Sequence, residues 1–491
     1  MRIPNYVLDI VRKLEGSGYE AYLVGGCVRD LIMGREPYDW DVATNAKPEE
    51  IQKIFPDSVY ENKFGTVAVK ATRGSTRIDT RMDAEIQRES ASSPRESVDI
   101  VEITTYRKEE AYTDKRHPDA ISFAKTIEED LARRDFTINA IALKFPISNF
   151  QFPIKSQLPI TNYQIIDPFN GQQDIENKII RAVGKPEDRF NEDALRLMRA
   201  VRFAAQLGFE IEPNTKAAVK SRVDLLRMIA HERIRDELIK LVESPDPEMG
   251  ILLMHELGLL KNVLPELEEG VGVTQNLHHI YTVFDHSVKS LGFAAHYKFN
   301  VYVRLASLLH DVGKPRTKAG EGTNATFYNH EYVGAKMAAR ALERLRFPKD
   351  FIEKVCTLIR YHMFYYNVGE VTARSVRRLV RKVGPDNIGE LLQLRQAERK
   401  GSGVPKAEPY KLRHLKYMIE KVSRDPLTVG MLKVNGDDVM EVLGVDPGPK
   451  VGYILNALLE EVIDEPKLNE RDYLIKRMQE LNQLSESELV K

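Results

Sequence analysis

Ala21-Tyr22-Leu23-Val24-Gly25-Gly26-Cys27-Val28-Arg29-Asp30 runs from a short apolar strand through a double-glycine turn into a helix, and Tyr38-Asp39-Trp40-Asp41-Val42-Ala43 follows close behind. Glycines at such a turn let the backbone approach an anion closely, and the free N–H groups at the helix start point toward it. Arg29 can add a charge-assisted hydrogen bond to the same phosphate. Asp39 and Asp41 stand two apart in what reads as an entering strand, so both carboxylates leave one face. Two carboxylates on one face repel unless a cation lies between them. Magnesium suits that place, because it takes a few carboxylates and completes its octahedron with water and phosphate oxygens. A Gly-Gly turn alone is most often only a turn, and an isolated Asp-x-Asp a solvated strand edge; their succession gives both more weight.

Around this nucleus the chain of 491 residues is too long for one core, and about 150 residues per domain predicts roughly three or four units. With 42% hydrophobic and 30% charged residues it is neither disordered nor a membrane protein. No apolar run is long enough to span a bilayer, and Met1 to Tyr6 lacks the apolar core of a signal peptide, which predicts a cytoplasmic protein without membrane contact. The two cysteines, Cys27 and Cys356, are too few for a disulfide framework or a cysteine-rich zinc site and are expected to stay reduced. A net charge of −1 means that any nucleic-acid contact is local. Basic clusters occur at Arg133-Arg134, along Arg196, Arg199 and Arg202, and at Arg374, Arg377, Arg378, Arg381 and Lys382. A solvated helix face and an RNA contact read equally well for the last of these.

The first 145 residues mix β-rich runs, at Ala21 to Val24, Thr66 to Lys70 and Val98 to Thr105, with helical segments. From about Asn191 onward apolar residues recur at helical spacing and strand signals nearly vanish. The polar stretch 72–96 reads as an insertion between two strands.

Gly25-Gly26-x-Val28-Arg29-Asp30 followed by Asp39-x-Asp41 resembles the class II tRNA nucleotidyltransferases, the CCA-adding enzymes, and their relatives the bacterial poly(A) polymerases. Leu131 to Ala140 resembles the family's second motif, which implies that Arg133, Arg134 and Asp135 meet the ribose and triphosphate of the incoming nucleotide. Asp167-Pro168-Phe169-Asn170-Gly171 resembles the third, at the junction of head and neck. Glu192-Asp193-Ala194-Leu195-Arg196 reads as a helix start whose Arg196, Arg199 and Arg202 gather on one side. A carboxylate and a guanidinium one turn apart can match the Watson–Crick edge of a base, and the resemblance implies that Asp193 and Arg196 select cytosine and adenine without a template. Glu192 is expected to hold an arginine still, and Ala230 to Leu238 resembles the neck motif that supports this helix. Phe64-Gly65-Thr66-Val67 and the segment Tyr106 to Thr126, with Glu109, Tyr112, Asp114, Arg116 and Pro118, resemble the CCA-adding pattern rather than that of the poly(A) polymerases. Glu102 is a third carboxylate that the metal pair would accommodate.

Farther on, Leu305 to Pro315 is an apolar helix ending in His310-Asp311, preceded by His286 and followed by His330 and His362. This order resembles the HD phosphohydrolase domain, which implies His286, His310 and Asp311 as ligands of a second divalent metal. Glu398 stands where that family has an aspartate, which argues against hydrolysis. The tail, with Gly436 and Gly448-Pro449, reads as short helices joined by glycine turns that hold a phosphate backbone.

The expected architecture is therefore α+β and multidomain: a polymerase-beta-like nucleotidyltransferase head over 1–145 with a mixed sheet, an all-α neck over 146–270 for base and RNA, an HD-type helical body over 271–400, and a helical tRNA-binding tail over 401–491. The expected function is template-independent addition of C, C and A to tRNA 3' ends from CTP and ATP, with Mg2+ at Asp39 and Asp41. Gly25, Gly26, Arg29, Arg133, Arg134, Asp135, Asp193, Arg196, Arg199 and Arg202 are the expected nucleotide contacts. An A-adding or poly(A)-type enzyme, and an HD phosphohydrolase acting on RNA ends, are the alternatives.

Overall fold

The computed structural model describes residues 3–60, 65–72, 98–110, 120–145, 163–276, 280–403 and 410–489. Phe64, Tyr112, Asp114, Arg116, Pro118 and nearly all of the 72–96 insertion lie outside them. The chain forms two compact units, residues 1–237 with 253–262, and residues 238–252 with 263–491.

The first unit opens with α1 (Asn5–Gly16), β1 (Ala21–Val24), α2 (Gly26–Ile32), β2 (Trp40–Thr44), α3 (Pro48–Ile54), β3 (Val59–Tyr60), β4 (Thr66–Thr72) and β5 (Val98–Thr105). A small hairpin of β6 (Arg107–Glu110) and β7 (Ala120–Phe123), then α4 (Ile127–Ala132), β8 (Ala142–Lys144) and β9 (Gln164–Ile166) complete the head. Seven strands form one mixed sheet in the order β3-β4-β5-β2-β1-β8-β9. Every neighbouring pair is antiparallel except β2 and β5, which run parallel with Asp41 opposite Glu102. Opposed residues of a paired register share a face, so these two carboxylates leave the same side of the sheet.

That side is also the one that packs. Ala43, two residues beyond Asp41, joins Tyr22, Val24, Ala142 and the α4 residues Ile127 and Leu131 in one buried cluster. Burying α4 on this face carries the residues just past its end, Arg133 and Arg134, toward Asp41.

Beyond the head come α5 (Gly171–Glu176), α6 (Pro186–Glu192), α7 (Leu195–Leu207), α8 (Pro213–Ser221) and α9 (His231–Val242). The short β10 (Ile179–Ile180) and β11 (Glu210–Ile211) pair in parallel. Apolar residues of α7 are buried all round, and Gly208 in the left-handed conformation (φ 72°) ends it, as an αL cap does.

The second unit is helical in its described residues. Its main helices are α10 (Val283–His296), α11 (Val301–Leu309), α12 (His330–Arg344), α13 (Lys349–Tyr361), α14 (Ala373–Val383), α15 (Ile388–Gly401), α16 (Tyr410–Val422), α17 (Gly436–Leu443), α18 (Pro449–Asp464) and α19 (Arg471–Leu481). The last three share a core of Val439, Ile454, Leu458, Val462, Leu474 and Met478. Among the described residues no helix is long and apolar enough to cross a membrane.

Candidate active site

Gly25 caps α2 with φ 77° and ψ −136°, a conformation open only to glycine. A Cβ built there would lie 2.8 Å from Arg134 Nη1 and 3.4 Å from Asp41 Oδ2, so the turn, the guanidinium and the carboxylate converge on one spot. Asp41 lies within β2 and is half-buried. Burial raises its carboxyl above the ordinary carboxylate range, Arg134 opposes the rise, and Asp39 adds to it. Asp39 itself is exposed and precedes the strand, whereas the sequence pattern placed both aspartates within it; tryptophan between them is buried instead, and β2 begins at Trp40. Asp41 and Glu102 thus share a sheet face, Arg134 comes up beside Asp41, and Asp39 is near enough for its charge to act on Asp41.

Arg29 is 6% exposed and its donors have protein partners. Nε and Nη2 reach Asp30 Oδ1 at 2.9 and 2.8 Å, and Nη1 donates to Asn139 Oδ1 at 2.9 Å. Arg29, expected as a nucleotide contact, is thus committed to protein partners on the helix that follows the glycine turn. Asp130, buried under α4, accepts from Arg133 Nε at 2.9 Å and lies 3.4 Å from Arg134 Nη2, so one carboxylate holds both guanidinium groups. Asp135 is also buried. Its Oδ1 accepts from the Phe136 amide at 2.8 Å and from Asn139 at 3.2 Å, and its Oδ2 from Arg199 Nε at 2.7 Å. Burial alone would raise Asp135, but Arg199 and Arg196 outweigh it and hold the carboxyl at about 2.

The segment expected to read the base departs from the expected helix start. Glu192 closes α6, Asp193 is extended (φ −134°, ψ 105°), and α7 begins only at Leu195. Asp193 Oδ1 accepts the Leu195 amide at 3.0 Å, an Asx turn in which the carboxylate satisfies the free N–H of the first residue of α7. Arg233 of α9 takes the same carboxylate with two nitrogens, at 2.7 and 3.3 Å. Arg196 Nη1 reaches Glu192 at 2.7 Å and the Arg189 carbonyl at 3.1 Å, while its Nη2 reaches the Arg133 carbonyl at 3.0 Å. Glu192 therefore holds an arginine as expected. Arg199 and Arg202 are not a solvated stripe: Arg202 Nε lies 2.7 Å from Glu237, and Arg199 is committed to Asp135. Burial and its arginine neighbours push Arg202 down to about 10, with Glu237 opposing. The support that α9 lends α7 thus rests on Arg233 and Glu237, which sequence reading did not single out. Their spacing of four places both on one face of α9.

In the second unit His286 (α10), His310 and Asp311 (just after α11), His330 (first residue of α12) and His362 (just after α13) converge. His286 Nε2, His310 Nε2 and Asp311 Oδ2 form a triangle with sides of 3.1, 3.2 and 3.5 Å. His330 Nε2, His362 Nε2 and Asp311 Oδ1 form a second, with sides of 3.3, 3.4 and 3.8 Å. The Nδ1 atoms of His310, His330 and His362 lie 2.6–2.8 Å from the carbonyls of Ser307, Phe327 and Ile359. A carbonyl only accepts, so each Nδ1 donates, and each Nε2 is the ring nitrogen turned toward Asp311. Burial drives His286 and His362 down to about 3, so both rings stay neutral at physiological pH. His330 and His362 are the residues that sequence reading left unassigned; only the packing of four helices shows that they meet Asp311. Glu398 stands beside the two triangles, where its charge acts on His286, His310 and His362, but its oxygens are held by Arg395, whose Nη1 donates to both at 2.8 and 2.9 Å; Lys314 Nζ lies 2.7 Å from Asp311 Oδ2. Cys27 and Cys356 are both free, as expected.

The arginines of the basic cluster on α14 are spent internally, while Lys382 is exposed. Arg377 Nε donates to the Ile463 carbonyl at 2.6 Å, and its other nitrogens reach Asp425 at 2.9 Å and the Asp464 carbonyl at 3.3 Å. Arg374 and Arg378 pair with the Asp464 carboxylate, and Arg381 with Glu460 and Asn456. Cations at the C-terminus of α18 also oppose the helix dipole.

Known proteins match along the length of the chain. The poly A polymerase head domain model matches residues 21–181, the probable RNA- and SrmB-binding site of polymerase A residues 208–270, and the HD domain residues 283–393. The CCA-adding enzyme of Streptococcus thermophilus is 31% identical over 482 residues, 97% of each chain. The A-adding tRNA nucleotidyltransferase of Deinococcus radiodurans is 35% identical over 351 residues, 70% of this chain and 76% of the relative. Among solved structures, the Bacillus stearothermophilus CCA-adding enzyme in complex with CTP aligns with a TM-score of 0.65 at 27% identity, covering 98% of this chain and 97% of the other. With the turn, the carboxylate pair and the neck in place, and a relative matched from end to end, the chain belongs to the tRNA nucleotidyltransferase/poly(A) polymerase family as a class II tRNA nucleotidyltransferase of the CCA-adding type that carries an HD domain.

Proposed function

We propose that this chain adds C, C and A to the 3' end of tRNA, taking CTP and ATP, with Asp39 and Asp41 as the metal ligands. The carrying observation is the convergence of a glycine-only turn, Arg134 and Asp41 within 3.4 Å of one point. The donor set fits a hard divalent cation such as Mg2+: an exposed and a half-buried carboxylate, oxygen ligands only, beside a cradle that a Cβ would fill. Such a cation, when bound, stabilises the attacking 3' oxygen and the leaving pyrophosphate. The α2 N-terminus and Arg134 hold the triphosphate, and Gly25 keeps that space open. Asp193 and Arg196 face the base, each fixed by neighbours: Arg233 on Asp193, Glu192 on Arg196. No protein nucleophile is needed. We place its action in the cytoplasm, where the two free thiols would stay reduced.

Incubation with tRNA lacking CCA, tRNA ending in C and tRNA ending in CC, each with labelled CTP or ATP, tests this reading. Incorporation of two C and one A is expected; incorporation of A alone, on tRNA ending in CC, assigns the chain to the A-adding type. Asp41→Ala removes incorporation while tRNA binding persists, and retained turnover would overturn the metal assignment.

A second reading concerns the histidine cluster. Ligands about 2.1 Å from one metal in cis positions stand about 3.0–3.4 Å apart, which the triangle at His286, His310 and Asp311 matches. We infer that this cluster holds a divalent metal, with His330 and His362 lending further ligands. Glu398, held by Arg395, is withheld from it, so hydrolysis of phosphate esters is not its task. Metal analysis after chelation and reloading with nickel, cobalt or manganese checks the point. A chain that keeps neither metal nor any chelator-dependent change in melting temperature would refute it, and brisk phosphodiester hydrolysis would refute the inactive half.

A further inference from the structure

We propose that Phe203, on the buried face of α7, is a positioning residue for base selection, because its ring joins the phosphate turn to the base-reading helix. Three guanidinium groups surround that one ring, with Arg202, Arg199 and Arg29 at 4.1, 5.2 and 5.4 Å from its centroid. Phe136 meets the ring edge-on at 5.7 Å. Arg29 belongs to α2, one turn beyond Gly25 and Gly26; Arg199 and Arg202 belong to α7, whose first turn carries Arg196.

Three cations at one ring repel, and carboxylates answer them: Asp30 for Arg29, Asp135 for Arg199, and Glu237 for Arg202, with Glu237 also 3.9 Å from Arg199 Nη1. The π face of the Phe203 ring is the one partner that all three cations have in common. Polar links run beside it from Arg29 to Asn139, from Asn139 to Asp135, and from Asp135 to Arg199. Glu237 lies four residues after Arg233 on α9, and Arg233 grips Asp193. Phosphate turn and base-reading carboxylate are thereby parts of one packed body centred on Phe203. A base that fits Asp193 and Arg196 poorly then displaces the triphosphate from its turn instead of being tolerated.

This inference rests on the reading of the pocket as a CTP and ATP site. The test compares wild type, Phe203→Leu and Phe203→Tyr in single-nucleotide addition to tRNA lacking CCA, with CTP against UTP, at a temperature well below the melting point of each. Wild type alone reports on the earlier reading: no preference for CTP over UTP overturns both. With that preference present, Phe203→Leu is expected to lower the CTP/UTP ratio of kcat/KM about ten-fold, the scale of losing cation–π contacts in a desolvated site. Phe203→Tyr, which keeps the ring, is expected to retain the ratio. Inhibition by tripolyphosphate, which fills the turn but carries no base, is expected to stay within about two-fold. An unchanged ratio in Phe203→Leu, whatever its melting temperature, overturns the proposal. So does a loss of tripolyphosphate inhibition as large as the loss for CTP, because the ring would then only brace the turn.

Discussion

Replacing Gly25 by alanine separates what the turn does for the fold from what it does for the chemistry. At φ 77° and ψ −136° a Cβ is strained by about 1–3 kcal/mol irrespective of its surroundings. In a unit of this size each kcal/mol lowers the melting temperature by about 2–4 °C, so a fall of roughly 4–8 °C is expected for about 2 kcal/mol. The added methyl also stands 2.8 Å from Arg134 Nη1, whereas ordinary contact begins at 3.4 Å, so the guanidinium must withdraw from the spot it shares with Asp41. A displacement of that order in a positioned catalytic group costs about 100-fold in rate. Gly184→Ala is the control: Gly184 also has a positive φ, 68°, but its Cβ would meet nothing within 4 Å. Both variants are therefore expected to melt earlier, and only Gly25→Ala to lose kcat/KM for CTP addition at 20 °C. Turnover of Gly25→Ala within three-fold of wild type would refute the placement of Arg134 and Asp41 at the reacting triphosphate.

Two further expectations follow from buried charges. Asp135 sits at about 2 when folded against about 3.9 when unfolded, so its depressed value stabilises the fold by about 2–3 kcal/mol at neutral pH. For a lowered carboxylate this contribution is present above about pH 4 and fades as pH falls toward 2; Asp135→Asn should flatten that limb of the stability–pH curve, and an unchanged limb would remove the assignment. Arg377→Met strips three acceptors, the Ile463 and Asp464 carbonyls and Asp425, from an 8% exposed guanidinium. A loss of about 3 kcal/mol is expected in thermal melting, against less than about 0.5 kcal/mol for the exposed Arg378→Met.

Much of the head was legible because its chemistry is local. The glycine turn and the Asp-x-Asp pair are set by residues a helix and a loop apart, and Ala21 to Val24 and Val98 to Thr105 are the strands expected. The parallel pairing of β2 with β5, which sets Glu102 opposite Asp41, depends on which strand enters the middle of the sheet, and no local period encodes that. The break at Asp193 leaves no local signal because acidic residues suit a helix start, and here the carboxylate takes the first amide of α7 through an Asx turn outside the helix. Arg29, Arg199 and Arg202 read as exposed donors since arginine is mostly exposed; burial with Asp30, Asp135 and Glu237 overrode that tendency. In the helical unit His286, His310 and Asp311 were visible by order, whereas His330 and His362 join them only through packing.

The clasp between α14 and the end of α18 bears on how RNA binding responds to salt. A cation that neutralises a phosphate releases a condensed counterion, and the slope of log K against log salt counts such events. Arg374, Arg377, Arg378 and Arg381 already rest on carboxylates, a side-chain amide and carbonyls of the same chain, so they neutralise few phosphates and release few of the cations condensed on the RNA. A salt titration of tRNA binding will therefore report fewer phosphate contacts than the arginine-rich helix suggests, and screening by added salt will loosen the protein's own tail as well as its hold on the nucleic acid.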